Sequence, residues 1–170
     1  GVVVSEDGLV FTNHHCGFSS IQQHSSVEHD YLKDGFVARS LEEELPNPEL
    51  YVRFLLRTEN VTKRVLSAAK HAKTESERRV AVDSVMNVIG MEVSEKDSTL
   101  TGIVDAYYAG NEFWLSVYRD YNDVRLVFAP PSSVGKFGWD TDNWMWPRHT
   151  GDFSVFRIYA NTQNLSLIHI

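Results

Sequence analysis

The sequence predicts a mainly β fold that is interrupted by a helical insertion. Short runs of β-branched and aromatic residues separated by turn signals recur near both ends of the chain, and this pattern is typical of a barrel or a sandwich. Between about residue 60 and residue 97, apolar residues recur instead at helical spacing. The 170 residues are 42% hydrophobic and 23% charged, which is the composition of a globular protein.

A hairpin opens the chain. Residues 1–5 form a β-branched run, and the Asp7-Gly8 dipeptide that follows is a strong turn signal. Residues 9–12 read as the returning strand. A polar cluster that contains two histidines, residues 13–16, directly follows the C-terminal end of this strand.

The helical insertion has two parts. Val61, Val65 and Ala69 lie on one face of a first helical stretch. Thr74 and Glu77 have the spacing of a capping box, so a second helix is predicted to begin at Thr74. The other periodic segments predict strands over residues 51–57, 101–109, 112–118, 123–128 and 152–160.

Charge and composition exclude several function classes. The formal net charge is −7 and basic runs are absent, which argues against a nucleic-acid surface. No apolar run approaches the roughly 18 residues that a membrane span needs. His14, His15 and Cys16 suggest a zinc fragment or a structural cluster as alternatives to a catalytic role, but zinc sites need further convergent Cys or His pairs. We therefore expect neither a metal nor another cofactor.

The histidine cluster resembles the start of chymotrypsin-like peptidases, where a strand leads into Thr-Ala-Ala-His-Cys, and of bacterial protease-chaperones with Thr-Asn-Asn-His-Val. In both, the catalytic base lies three residues after the threonine, and counting from Thr12 selects His15. Successive strand residues point to opposite faces, so His14 is expected to face away from the site if the strand stays regular. An imidazole suits the role because it takes up and returns a proton near neutral pH.

Asp152 is the candidate partner of His15. It opens the last predicted strand and resembles the Asp-Leu-Ala-Val-Leu-Lys-Ile pattern of the protease-chaperones. A buried carboxylate on Nδ1–H fixes the tautomer of the base and stabilises the imidazolium. A partnership predicts an Nδ1–carboxylate distance of about 2.6–3.2 Å. The alternative is that Asp152 only caps the turn before the strand.

Three stretches together resemble the bacterial dipeptidyl-peptidase 7 and 11 family: residues 12–17, residues 22–25 and the tryptophan-rich residues 135–153. The resemblance implies a serine aminopeptidase with two chymotrypsin-like β-barrels and a helical domain over the cleft. It further implies release of dipeptides from free N-termini of peptide substrates, a homodimer, and a periplasmic or cell-surface location in a Gram-negative bacterium. By motif, Asn143 would bind the substrate's α-amino group, and Trp144 would adjoin it in the same subsite.

The expected serine nucleophile is not found, because no Gly-x-Ser-Gly stretch follows Asp152. We therefore expect an N-terminal fragment that is inactive alone, with residues 1–164 belonging to the peptidase domain and residues 165–170 forming a non-native tail. Two other functions stay open at this point. They are an endopeptidase of the protease-chaperone type and a non-catalytic binding module that keeps the barrel.

Overall fold

The computed structural model describes residues 1–135, 151–161 and 166–167. The chain divides into two compact units. Unit 1 comprises residues 1–52 and 121–170, and unit 2 comprises residues 53–120. The described strands, in chain order, are β1 (Val2–Val3), β2 (Leu9–Thr12), β3 (Phe36–Val37), β4 (Leu45–Pro46), β5 (Val52–Asn60), β6 (Leu100–Tyr107), β7 (Glu112–Tyr121), β8 (Asp123–Ala129), β9 (Ser154–Asn161) and β10 (Ser166–Leu167).

Five α-helices occur in the same described residues: α1 (His14–His24), α2 (Tyr31–Asp34), α3 (Thr62–Ala68), α4 (Glu75–Lys96) and α5 (Ser132–Gly135). Single 3₁₀ turns cover Leu41–Glu43, Ala69–His71 and Tyr108–Gly110. None of the helices described here is long and apolar enough to cross a membrane. The mainly β class with inserted helices is therefore as predicted.

Unit 1 is built on an antiparallel sheet in which the strand order is β1-β2-β9-β8-β3. β10 pairs with β9, and β4 pairs with β8. The predicted hairpin is confirmed, since Val2 lies opposite Phe11 and Val3 opposite Val10. The described strands form an open sheet and not a closed barrel, because β1 and β3 end the path without pairing with each other.

Helix α1 begins immediately after β2, so the regular strand on which the opposite orientation of His14 and His15 was conditional does not extend to these residues. The chain turns at Asn13, whose carbonyl accepts hydrogen bonds from the backbone N–H groups of Cys16 at 3.1 Å and Gly17 at 3.2 Å. The helix packs on the sheet through a buried cluster that contains Ile21, Val124, Leu126, Ala129 and Phe156. This tertiary packing stabilises the helix, whose polar sequence does not by itself indicate one.

A buried carboxylate anchors the segment before β4 to strand β9. Glu44 is only 5% exposed, and its two oxygens accept hydrogen bonds from Arg157 Nε at 2.8 Å and from the Tyr159 hydroxyl at 2.7 Å. Burial, and then the Glu44 carboxylate, raise the pKa of Tyr159, so its hydroxyl stays protonated and donates. Arg125 lies 4.2 Å from the centre of the Tyr159 ring. These contacts fix β9, the strand that follows Asp152.

Unit 2 packs helices against a three-stranded sheet with the order β5-β7-β6. The predicted capping box is confirmed: Thr74 accepts from the backbone N–H of Glu77, and the Glu77 side chain accepts from the Thr74 N–H. The compact unit is larger than the helical insertion predicted over residues 60–97, because three strands share its core. That core contains Val65, Ile89, Val93, Val104, Phe113, Leu115 and Val117.

The tail predicted at residues 165–170 includes β10, whose Ser166 lies opposite Asn161 in β9. This pairing does not test whether the six residues are native to the protein. The boundary at residue 164 therefore stays a prediction.

A glycine pair sets the distance between α4 and β6. A Cβ atom on Gly102 would lie 2.8 Å from both the Gly90 carbonyl oxygen and Val93 Cγ2. Because valine favours strands, Gly102→Val would stabilise a loosely packed β6. Here we expect the overpacking to reduce the free energy of unfolding by about 1–3 kcal/mol. Urea unfolding monitored by circular dichroism measures the change.

The matched control is Asp105→Ala, at an exposed position of the same strand. It should leave the urea midpoint close to that of the parent protein. A Gly102→Val variant as stable as this control would show that α4 and β6 do not need the close approach.

Candidate active site

Strands β2 and β9 bring the two predicted catalytic residues to one end of the unit 1 sheet. Thr12, the last residue of β2, lies opposite Ser154, the first residue of β9. In an antiparallel pair, the end of one strand is next to the start of the other. His15 follows β2 and Asp152 precedes β9, so side chains that are 137 residues apart in sequence meet there.

The His15 ring and the Asp152 carboxylate form a close pair. Nδ1 of His15 lies 3.0 Å from Oδ2 of Asp152, within the range that a base and its orienting carboxylate require. The backbone N–H of His15 donates to Oδ1 at 3.2 Å. The His15 side chain is 67% exposed, whereas that of Asp152 is 15% exposed. The Asp152 carboxylate is thus largely shielded from solvent, whereas the His15 imidazole projects into solvent.

Hydrogen bonds keep Asp152 ionised. Burial acts to raise the pKa of Asp152, but the Asn13 side chain and the backbone and ring of His15 donate to it. Together these donors lower the pKa of Asp152 below its ordinary value. The carboxylate also lies at the N-terminus of α1, where the backbone N–H groups favour negative charge. An ionised Asp152 can stabilise a protonated His15 ring.

His14 occupies a different environment from its neighbour. It is 2% exposed, and its Nδ1 lies 3.5 Å from the buried Ser154 hydroxyl, at the long limit of a hydrogen bond. A Cβ atom on Gly135 would lie 2.6 Å from two carbons of the His14 ring, so the backbone of α5 packs directly on it. Burial lowers the pKa of His14; Asp152 opposes that shift and His15 adds to it. His14 is therefore a neutral packing residue, and the exposed His15 is the candidate base.

Asn13 belongs to the site, although no sequence pattern singled it out. Its Nδ2 donates to Asp152 Oδ2 at 3.0 Å. The available signal was its place between a strand and the histidines, but an asparagine there reads as an ordinary helix cap.

The predicted substrate-binding residues Asn143 and Trp144 lie outside the described residues. Within residues 1–135, 151–161 and 166–167, no group of three or more His, Cys, Asp or Glu side chains is placed to hold a metal ion. Cys16, beside His15, is exposed and carries a free thiol.

Comparison with known proteins decides the family. The family model described as Peptidase S46 matches residues 1–169. The chain belongs to the Peptidase S46 family. Within this family it is 56% identical over 164 residues to Dipeptidyl-peptidase 7 of Porphyromonas endodontalis, covering 96% of this chain and 20% of that protein. It is 50% identical over 163 residues to an Asp/Glu-specific dipeptidyl-peptidase of Capnocytophaga gingivalis, covering 95% and 23%.

Solved structures give the same relationship for this Peptidase S46 chain. Porphyromonas endodontalis DPP11 in complex with substrate is similar with a TM-score of 0.81 and 44% identity, covering 100% of this chain and 25% of that one. DPP11 in complex with the dipeptide Arg-Glu has a TM-score of 0.79 and 45% identity, covering 95% and 24%. The chain thus spans about a fifth to a quarter of the length of these relatives.

Proposed function

We propose that the protein to which this chain belongs is a serine-type dipeptidyl aminopeptidase, and that His15 and Asp152 are its general base and orienting carboxylate. The observation that carries this proposal is the 3.0 Å contact between His15 Nδ1 and Asp152 Oδ2. Because Asp152 engages Nδ1, the other ring nitrogen, Nε2, is the one left to exchange a proton with a nucleophile. Membership of the Peptidase S46 family supports the same reaction class.

The proposed reaction moves one proton back and forth through His15. Nε2 takes the proton of a serine hydroxyl as its oxygen attacks the peptide carbonyl, and the imidazolium is stabilised by ionised Asp152. His15 then gives the proton to the leaving amine, which frees the C-terminal part of the substrate. Water repeats the cycle on the acyl-enzyme and releases the dipeptide.

We propose that the serine comes from a part of the full-length protein beyond this chain. Ser154, the serine nearest to Asp152 in sequence, is fully buried and faces His14, not His15. The hydroxyl of Ser25 donates to the Ile21 carbonyl, and that of Ser26 accepts from the His29 backbone N–H. These local bonds give neither hydroxyl an activating base.

The chymotrypsin-like double barrel is part of the proposal. Its support is the order of elements in unit 1: an N-terminal hairpin, a histidine directly after its second strand, and an aspartate directly before β9. The antiparallel pairing of β2 with β9 places both residues at one end of the sheet. Further strands from the full-length protein would complete the first barrel and supply the second.

Asn143 and Trp144 are proposed to recognise the free N-terminus of the substrate. An exopeptidase must favour a charged amine, and a site built to hydrogen-bond that amine rejects substrates that lack it. The relatives named dipeptidyl-peptidase support this exopeptidase reading. Peptides are accordingly the proposed substrates.

A substrate comparison tests the proposed activity. The full-length protein should release the reporter group from dipeptide substrates with a free N-terminus and leave their N-acetylated counterparts intact. Equal hydrolysis of blocked substrates would favour an endopeptidase, and no hydrolysis of either would favour a binding module.

We also propose a periplasmic or cell-surface location in a Gram-negative bacterium, and a homodimer. Both rest on the resemblance of the histidine and tryptophan-rich motifs to dipeptidyl-peptidases. Cell fractionation tests the location, and light scattering of the purified full-length protein tests the oligomeric state. A cytoplasmic protein or a monomer would contradict the respective proposal.

A further inference from the structure

We propose that Asn13 is a positioning residue, whose side-chain amide holds the Asp152 carboxylate in the orientation that engages the His15 ring. The inference rests on the proposed function, because it assumes that His15 and Asp152 act as a catalytic pair. It adds a third residue to that pair.

The first observation is that Asn13 does not cap its own helix. It occupies the N-cap position of α1, where an asparagine side chain ordinarily accepts a hydrogen bond from a backbone N–H of the first turn. No such bond is made by Asn13. Its amide donates to Asp152 Oδ2 at 3.0 Å instead. The side chain thus contributes to the site and not to the local stability of the helix.

The second observation is that Asp152 takes over the capping role. Its Oδ1 accepts from the backbone N–H of His15 at 3.2 Å, a group in the first turn of α1 that has no partner within the helix. Asn13 and the His15 backbone therefore hold one carboxylate oxygen each. These two bonds define the plane of the carboxylate before the His15 ring is considered.

The third observation concerns the oxygen that both side chains share. Oδ2 receives the Asn13 amide and lies 3.0 Å from His15 Nδ1. A carboxylate oxygen has two lone pairs and accommodates both donors. Only the NH₂ end of the Asn13 amide can donate to a carboxylate, which fixes the orientation of that amide. The ring of His15 consequently meets an oxygen that is already in place.

Two ionisable groups of α1, the rings of His14 and His15, interact with Asp152. His15 contacts the carboxylate directly, whereas the charge of Asp152 acts on the buried His14 by favouring a higher pKa of that ring. Because burial lowers the pKa of His14, this second ring is neutral and does not compete for the carboxylate. Asn13 is thus an uncharged donor that shares Asp152 with the base.

Three substitutions in the full-length protein separate positioning from folding. Asn13→Ala removes the donor. Asn13→Ser also removes the amide donor, because the serine side chain is shorter, but serine is a favoured N-cap residue. Asn13→Asp keeps the shape and replaces the donor by a second carboxylate. The control is Gln23→Ala, which removes another amide-to-carboxylate bond of α1, the 3.2 Å bond to Glu49.

We expect Asn13→Ala and Asn13→Ser to lower kcat/KM by about 10- to 100-fold, mainly through kcat, because the misplaced carboxylate no longer orients the base. Their melting temperatures should match that of Gln23→Ala, whose kcat/KM should be unchanged. Asn13→Asp should also move the acid limb of the kcat/KM profile to higher pH, since a second carboxylate stabilises the protonated imidazole. A purely structural role of Asn13 would instead lower kcat/KM only in step with the melting temperature.

Parent-like kcat/KM in Asn13→Ala would overturn the inference. So would activity lost only in step with the melting temperature, or an unmoved acid limb in Asn13→Asp. The His15→Ala variant keeps the two proposals apart. If it abolishes activity while Asn13→Ala does not, only the positioning role fails; if it retains activity, the proposed function fails.

Discussion

Replacing His15 with alanine in the full-length protein is expected to lower kcat by about 10⁴-fold or more. The serine proton would then have no acceptor, because the other histidine of the cluster, His14, is buried and contacts Ser154. The expected residual rate is that supplied by substrate binding and by the groups that stabilise the oxyanion. Hydrolysis of a free-N-terminal dipeptide reporter measures the change.

The structure predicts that this loss does not come from unfolding. The His15 side chain is 67% exposed, so its truncation to alanine leaves no buried cavity. His71→Ala removes another exposed histidine, in unit 2, and should keep parent activity. A His15→Ala variant within tenfold of the parent would rule out His15 as the base.

Replacing Asp152 with asparagine is expected to lower kcat by about 10⁴-fold, since a neutral amide selects the wrong tautomer of the base in serine peptidases. The local geometry adds a second reason. Asp152 accepts donors from Asn13, from the His15 backbone and from the His15 ring, all of them directed at carboxylate oxygens. An amide has one accepting atom and would turn its own N–H groups toward at least one of these donors.

Asp152→Asn should also change the response of stability to acid. Because the folded state lowers the pKa of Asp152, the ionised carboxylate stabilises the fold above its unfolded-state pKa. That contribution is lost as the pH falls through the lowered, folded-state pKa, and the variant should lack this part of the acid-dependent loss. Asp34→Asn, at an exposed position, serves as the control for both measurements. An Asp152→Asn enzyme with parent kcat would defeat the assignment.

Local signals in the sequence were enough to predict most elements. The Asp7-Gly8 turn predicted the first hairpin, and the Thr74 and Glu77 spacing predicted the start of α4. These signals worked because the interactions that specify them lie within a few residues. The start of helix α1 directly after β2 was not predicted, because this helix is stabilised by the packing of Ile21 on a distant sheet.

The sheet of unit 2 shows a similar limit. β5 pairs with β7, and β6 lies on the far side of β7, so the order in space differs from the order in sequence. Strand propensities indicate that each strand exists but carry no information about its neighbours. The extent of the compact unit, from Arg53 to Asp120, therefore could not be predicted from periodicity.

In the candidate site, the proximity of His15 and Asp152 was predictable because each residue lies beside a recognisable strand and the two side chains have complementary chemistry. Asn13 was not predictable, since its contribution depends on the chain turning into α1 directly after it. Whether an asparagine caps its own helix or donates to a distant carboxylate is decided by tertiary structure. The sequence alone does not distinguish the two.

The pairing of β2 with β9 also determines when the site can assemble on the ribosome. The internal contacts of unit 2 join residues within 53–120, so that unit can begin to fold once its own strands have emerged. His15 must wait until Asp152, 137 residues later, has been synthesised. At about 5–20 residues per second, this delay is on the order of ten seconds. The contact between His15 and Asp152 therefore forms after unit 2 can begin to fold, and the nascent chain carries no assembled pair until Asp152 has emerged.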